Sequence, residues 1–402
     1  MTQATDTNEV DATDKPISSG FKVLPDSIAA KIFLAFLTTA GIFYINIMPA
    51  VVSGLKEGLA FTNQQAGFVS SANLYGASIG ALAAVFMVKK INWRSWSYSL
   101  LFALLLIDLA CIYITSPEMM IGIRFFHGLV GGLLVGIGFA VISRTKEADK
   151  TFGYLLFIQW GLGGLGLMYL PGLVPTYGTS ALFLALIAFT LVTLVMMPLL
   201  PEYSVEDIAD DSTKQEEKSA IQKLPLCMNL GAIFLFQAAN MGLFAYMIGL
   251  GKAGGLTIEF MSPSLAAASW VALLGSLLVI VVGTKFGRAM PLLGAILLTA
   301  FCSWLLRFND STSIYLYANI IIGIGWAFVL PYLFGICSEL DRAGQLAALG
   351  GFASKMGLAS GPMVAGVLLG DDNYGLIIDV AVIGLIACAV VSFKPANMLD
   401  KK

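Results

Sequence analysis

Charge is scarce in this chain. Asp, Glu, Lys and Arg make up 12% of its 402 residues, about half the share found in soluble domains. A chain this poor in charge cannot cover its apolar surface with polar groups, which excludes an ordinary water-soluble domain. Histidine occurs once, and the five cysteines (Cys111, Cys227, Cys302, Cys337, Cys388) sit in apolar stretches without a CxxC pair. This argues against a zinc site or other metal centre and against a disulfide framework. A net charge of −2 gives no footprint for nucleic acid. No P-loop, HExxH or nucleophile-elbow motif is present, so neither an ATP-driven pump nor a membrane hydrolase is expected, and no cofactor. Gly161-Leu-Gly163-Gly-Leu-Gly166 matches a dinucleotide fingerprint only in letters, since no strand precedes it. Residues 1–27 lack a basic segment followed by an apolar one, so they read as a disordered cytoplasmic tail, not a signal peptide.

What the chain has instead is hydrophobicity: 58% apolar residues and a mean hydropathy of +0.84. A helix needs about 20 apolar residues to cross a bilayer, and only a helix satisfies its own backbone there. Twelve such stretches are predicted, at 28–52, 64–88, 96–115, 119–142, 152–174, 180–199, 226–250, 263–283, 291–308, 314–337, 345–369 and 375–394. Trp93 and Trp96 are expected as interfacial anchors. The polar stretch 200–225 divides these spans into an N-terminal set (28–199) and a C-terminal set (226–394), with 395–402 as a short tail.

Basic residues orient the spans. With an even number of crossings, all but five lie on the side of the two termini; Lys56, Lys252 and Arg307 lie opposite, while Arg124 and Lys355 fall inside spans. Both termini are therefore expected in the cytoplasm, in a bacterial inner membrane.

Shifting the sequence on itself by about 195 residues superimposes the two sets. Gly80-Ala-Leu followed by Lys89-Lys90-Ile-Asn-Trp-Arg94 meets Gly275-Ser-Leu followed by Thr284-Lys285-Phe-Gly287-Arg288. Arg124 meets Asn319, Gly128 meets Gly323 and, one residue out of register, Gln159 meets Lys355. Such duplication allows two bundles to rock about a midplane site. Several of these stretches resemble motifs of the major facilitator superfamily, from about residue 28 to 394. Gly283-Thr-Lys285-Phe-Gly287-Arg288 looks like the family's G-x-x-x-D-R-x-G-R-R loop, with Lys89, Lys90 and Arg94 as its degraded partner. Arg124-x-x-x-Gly128 and Gly357-x-x-x-Gly361-Pro362 resemble its helix motifs. The resemblance implies an all-α membrane protein of about twelve helices in two pseudo-symmetric six-helix bundles, and gating roles for Lys89, Lys90, Arg94, Lys285, Gly287 and Arg288. The acid of the loop motif is replaced by Lys89 and Thr284, so the lock it forms in relatives does not carry over unchanged.

An ionised side chain deep in a bilayer is costly and invites a functional reading. Lys355 and Arg124 are candidates to hold a substrate anion, with snorkelling or structural pairing as the competing reading. Gln159, Gln237, Asn240, Asn319, Trp326, Tyr44, Asn46 and Asn73 add polar and aromatic contacts, or else bind helices together. His127 and Asp108 are candidate proton carriers, with a neutral helix-contact histidine and a structural aspartate as alternatives. Gly76-x-x-x-Gly80 and Gly357-x-x-x-Gly361 are expected to let helices approach closely. The expectation is a monomeric secondary transporter for a small organic solute, first of all an organic anion, working by alternating access with a proton or other ion as possible partner. An exporter of amphipathic or cationic compounds and a non-transporting sensor or assembly partner are the alternatives.

Overall fold

The computed structural model describes residues 22–88, 90–203, 223–340, 345–370 and 372–401. Lys89, most of the predicted N-terminal tail and most of the linker lie outside these residues. Among the described residues the regular structure is helical, with no strand, and eleven helices are long and apolar enough to cross a membrane.

The first predicted span is the exception, because it is broken. It comprises α1 (Ile28–Ala40), α2 (Phe43–Asn46) and α3 (Met48–Leu59). The interruptions fall at Gly41-Ile42 and at Ile47, just ahead of Pro49, which cannot donate to the preceding turn. The N-terminal half continues with α4 (Asn63–Met87), α5 (Trp93–Cys111), α6 (Pro117–Ile142), α7 (Ala148–Tyr177) and α8 (Ser180–Met196). The seventh span is also broken, at Tyr246, between α9 (Lys223–Ala245) and α10 (Met247–Ala253). Then follow α11 (Ile258–Val282), α12 (Ala289–Leu305), α13 (Thr312–Leu340), α14 (Gln345–Leu369) and α15 (Tyr374–Asp400). Start signals are local: Ser27, Asn92 and Ser116 cap α1, α5 and α6, and Thr62 with Gln65 forms a capping box on α4.

Close approach between helices follows the repeat. A Cβ on Gly76 or Gly80 of α4 would strike the carbonyls of Phe125 or Leu129 on α6, and one on Gly128 would lie 1.9 Å from the Asn73 carbonyl. Gly275, the mate of Gly80, does the same between α11 and α13 against the carbonyl of Ile324, while at Gly323, the mate of Gly128, the contact is looser, 3.1 Å from the Ala268 carbonyl. Gly357 and Gly361 seat α14 against α9 in like manner. Large side chains such as Val85, Phe86, Leu106, Ile280 and Val390 point outward, as lipid-facing positions should.

The face where α1 begins and α15 ends is here the terminal face, and the opposite one the far face. At the terminal face the two loop motifs are clamped within their own halves. Arg94 reaches the carbonyls of Met197 and Leu200 and lies 3.3 Å from Glu202, while Trp93 Nε1 donates to the Tyr203 carbonyl. Trp93 is thus buried, not the interfacial anchor expected; Trp96 is the exposed one of the pair. Arg288, one repeat later, pairs with Glu339 at 2.9 Å, and the Asp400 carboxylate accepts from the backbone of Arg288 and Ala289 at the start of α12. Gly287 holds φ +70°, with Asp400 where a side chain would go. Lys90 and Lys285 take part in the turns through their backbone N–H groups.

A candidate solute cavity between the halves

The halves meet at mid-depth and at the far face. At mid-depth Tyr75 and Ser360 share a 2.8 Å hydroxyl contact, and Trp270 Nε1 donates to the Gly161 carbonyl. Toward the far face Tyr246 Oη donates to the Asn63 carbonyl, and Asn63 Nδ2 reaches both the Gly370 carbonyl and Asp372. Two ion pairs finish the seam: Lys56 with Asp372 at 3.3 Å and Lys252 with Glu57 at 2.6 Å. The Asn63 amide beside Asp372, joined by Lys56, holds that carboxyl below its ordinary range. Together these contacts close the passage on the far face.

Beneath them, at the level of both helix breaks, lies a cavity of about 190 Å³. Ile45 and Asn46 reach it from α2, and Leu243, Phe244 and Met247 reach it from the junction of α9 and α10. Interrupted helices release backbone groups and bring side chains to a site that continuous helices could not supply. Gln159 and Trp160 of α7, Gln237 and Asn240 of α9, Ser269 of α11, Asn319 and Trp326 of α13 and Leu358 of α14 complete the wall. None of the described lining residues is charged.

The amides are wired to one another and to the backbone. Asn46 Nδ2 donates to the Gln159 carbonyl at 3.1 Å, and Gln159 Nε2 points back to Asn46 Oδ1 at 3.4 Å. Gln237 accepts from Trp326 Nε1 at 2.7 Å and donates to Ser354 at 2.6 Å. Asn240 and Asn319 each donate at 2.8 Å to the carbonyl four residues earlier, Phe236 and Tyr315. Phe244 stands edge-on to Trp326.

Of the residues singled out from sequence, Asn46, Gln159, Gln237, Asn240, Asn319 and Trp326 meet at this cavity. Lys355 is not in its wall. It lies three residues before Leu358 on α14, about 4.5 Å nearer the terminal face on a neighbouring side of the helix. It is half-buried, and among the described residues it has no hydrogen bond or ion pair.

Arg124, Tyr44 and Asn73 lie elsewhere, in a buried cluster inside the N-terminal half. Arg124 Nη1 donates to Asp108 Oδ1 at 2.7 Å, with both side chains essentially inaccessible, and its guanidinium lies 4.3 Å from the centre of the Tyr44 ring. Asn73 Nδ2 approaches His127 Nδ1 at 2.8 Å while donating also to the Arg124 carbonyl; Arg124 Nη2 approaches the same Nδ1 at 3.1 Å. Guanidinium and amide N–H groups can only donate, so Nδ1 must accept and His127 carries its proton on Nε2, 3.3 Å from Asp108 Oδ1. The histidine is therefore neutral in this arrangement. Sequence reasoning weighed structural pairing for Arg124 and a structural role for Asp108 without joining the two; an arginine and an aspartate on adjacent spans were the available signal. It also passed over Trp160, Phe244 and Ser269, whose residue types fit any apolar helix.

A family model described as Major Facilitator Superfamily matches residues 32–366. No curated protein matches the chain. Solved structures similar to it include the nucleoside transporter NupG, with TM-score 0.69 and 14% identity, covering 93% of this chain and 99% of that one. Another is a bacterial homolog to the human lysosomal transporter Spinster, in an inward-facing and unoccupied conformation, with TM-score 0.64 and 14% identity, covering 92% of this chain and 95% of that one. At such identity the likeness is one of fold; with most of its length matched by the family model, a two-half helical architecture and a cavity on the midline, the chain belongs to the Major Facilitator Superfamily.

Proposed function

We propose that this transporter carries a small organic anion by alternating access, with the anionic group at Lys355 and the body of the solute in the amide-lined cavity. One observation carries the reading: a lysine inside the bilayer span, without a partner among the described residues, one helical turn from the cavity. A cation kept there is costly without a counter-charge, and a bound anion supplies one. The distribution of basic residues supports placing both termini in the cytoplasm of a bacterial inner membrane, which makes the closed far face the external one. In this reading no coupling proton is assigned to Asp108 or His127, since Asp108 is paired with Arg124 and His127 Nδ1 already accepts from two donors.

The test is Lys355→Gln in proteoliposomes. Uptake of the transported anion is expected to fall at least 10-fold while the protein still folds; unchanged kinetics would remove the anion site. A second reading, an uncharged solute such as the nucleosides named for the NupG structure, draws on the absence of charge from the cavity wall. Uptake of a neutral solute that survives Lys355→Gln would favour it.

A further inference from the structure

The amides of the cavity are not free to turn. A backbone carbonyl can only accept and an indole N–H can only donate, so each fixes the orientation of the carboxamide it meets. The Phe236 carbonyl holds the NH₂ of Asn240, the Tyr315 carbonyl that of Asn319, and the Gln159 carbonyl that of Asn46. Trp326 Nε1 holds the oxygen of Gln237. The orientation of Asn46 in turn sets that of Gln159, whose NH₂ faces Asn46 Oδ1.

Three oxygens are left over. Asn240 Oδ1 is fully buried and has no hydrogen-bond partner, on a residue only 2% exposed. Asn319 Oδ1 and Gln159 Oε1 likewise bond to nothing among the described residues. Each amide NH₂ here is committed at least once, whereas these three acceptors are not committed at all. Of the three, Asn240 Oδ1 is the buried one; a buried acceptor without a donor is destabilising, and such a group in a native protein calls for an explanation. Trp160, Trp326 and Phe244 line the same space as these three amides, so whatever fills it meets flat aromatic surface beside them.

We propose that the cavity selects solutes by their hydrogen-bond donors: a small ring bearing O–H or N–H groups on one edge, held on Asn240 Oδ1, Asn319 Oδ1 and Gln159 Oε1. This rests on reading the cavity as the solute site, but not on the charge of the solute. A solute whose only polar atoms are acceptors would set oxygen against oxygen at all three. Among the described lining residues it would find wholly uncommitted donors only in the Trp160 indole N–H and the Ser269 hydroxyl. It therefore binds less well, as sites built to hydrogen-bond a ligand disfavour analogues that lack the group. An anionic solute then binds in one polarity, donors in the cavity and negative group toward Lys355.

The test crosses donors with charge in a thermal-shift and binding panel on the purified full-length protein. Its four classes are hydroxylated anions such as glucuronate, hydroxylated neutral rings such as inositol, donor-free anions such as cyclohexanecarboxylate, and donor-free neutral rings such as caffeine. The tightest binders are expected in the donor-bearing classes. Asn240→Leu should weaken each of them about 10- to 100-fold, while the ligand-free variant melts no lower than the parent because a buried orphan acceptor is removed. A donor-free compound that binds as well as the donor-bearing ones, a panel without a donor-bearing binder, or affinities untouched by Asn240→Leu would overturn the proposal. Binding of neutral donor-bearing rings that is indifferent to Lys355→Gln would overturn the anion reading and leave the donor rule standing. Donor-free anions that bind as well as the donor-bearing ones and need Lys355 would do the reverse.

Discussion

Lys252 Nζ lies 2.6 Å from Glu57 Oε1 across the boundary between the halves. Its counterpart one repeat earlier, Lys56, reaches back across the same boundary to Asp372 at 3.3 Å. Each lysine ends a broken first span of its half, and each takes its acid from the other half. The duplicated sequence has thus placed two latch lysines at equivalent positions on one face, while their acids, Glu57 on α3 and Asp372 after α14, are not repeat mates.

Removing both latches should favour the state open on the far face. Exposed ion pairs contribute about 0–1 kcal/mol each, so Lys56→Gln with Lys252→Gln is expected to raise that population by a few-fold up to about 30-fold. Distances between spin labels on α3 and α10 would report it. Unchanged distance distributions would show that the hydrogen bonds of Asn63 and Tyr246 suffice to hold the face shut.

Acid should loosen the same face. Asp372 has its carboxyl held low in the closed state, so its contribution is complete above the ordinary carboxylate value of about 3.9 and is lost as pH falls through and below it. The same label pair, read from pH 7 down to pH 3, should show closure weakening only toward the acid end. With Asp372→Asn that part of the pH dependence should vanish.

The Arg124–Asp108 pair is expected to be structural in the N-terminal half. Breaking a buried pair from one side leaves an uncompensated charge and costs about 3–5 kcal/mol. Arg124→Met alone should therefore melt far below the parent in detergent, whereas Arg124→Met with Asp108→Leu should recover most of the loss. Equal melting of single and double variants would show that the pair contributes no coupling.

Gly128 and Gly122, on the same helix, offer a packing test. A methyl group on Gly128 would meet the Asn73 carbonyl at 1.9 Å, while one on Gly122 meets nothing within 4 Å. Gly128→Ala should destabilise by about 1–3 kcal/mol through forced separation of α4 and α6, and Gly122→Ala should be neutral or slightly stabilising. Circular-dichroism melts of the two variants decide it.

At the terminal face Glu147 joins Lys31 of α1 to Lys150 of α7, and hydrogen bonds from Lys150 and Lys31 draw its carboxyl down to about 2. Glu147→Gln should detach Lys31, a buried lysine on a helix that is only thirteen residues long. Faster hydrogen exchange across Ile28–Ala40 is the expected sign, and unchanged exchange would mean that apolar packing alone holds α1.

Hydropathy and charge are local properties, and they placed the spans to within a few residues: 152–174 became Ala148–Tyr177, and 314–337 became Thr312–Leu340. The internal repeat was legible too, and it carried the family resemblance. The break in the first span was not legible, because Gly41 and Pro49 do not interrupt an apolar run; hydropathy sees composition, whereas a break is an event in backbone hydrogen bonding. Nor could the sequence say which way each helix is turned about its axis. That rotation sends Asn319 to the cavity and its repeat mate Arg124 into a closed cluster with Asp108, His127 and Tyr44. It also sets Gln159 in the cavity wall and Lys355 a turn below it. By itself the sequence determined that this chain is a two-half bundle in lipid, since burial of apolar length depends on composition alone. Only tertiary packing decided which polar groups are spent on one another and which are left for a solute, since a hydrogen bond depends on the meeting of two helices.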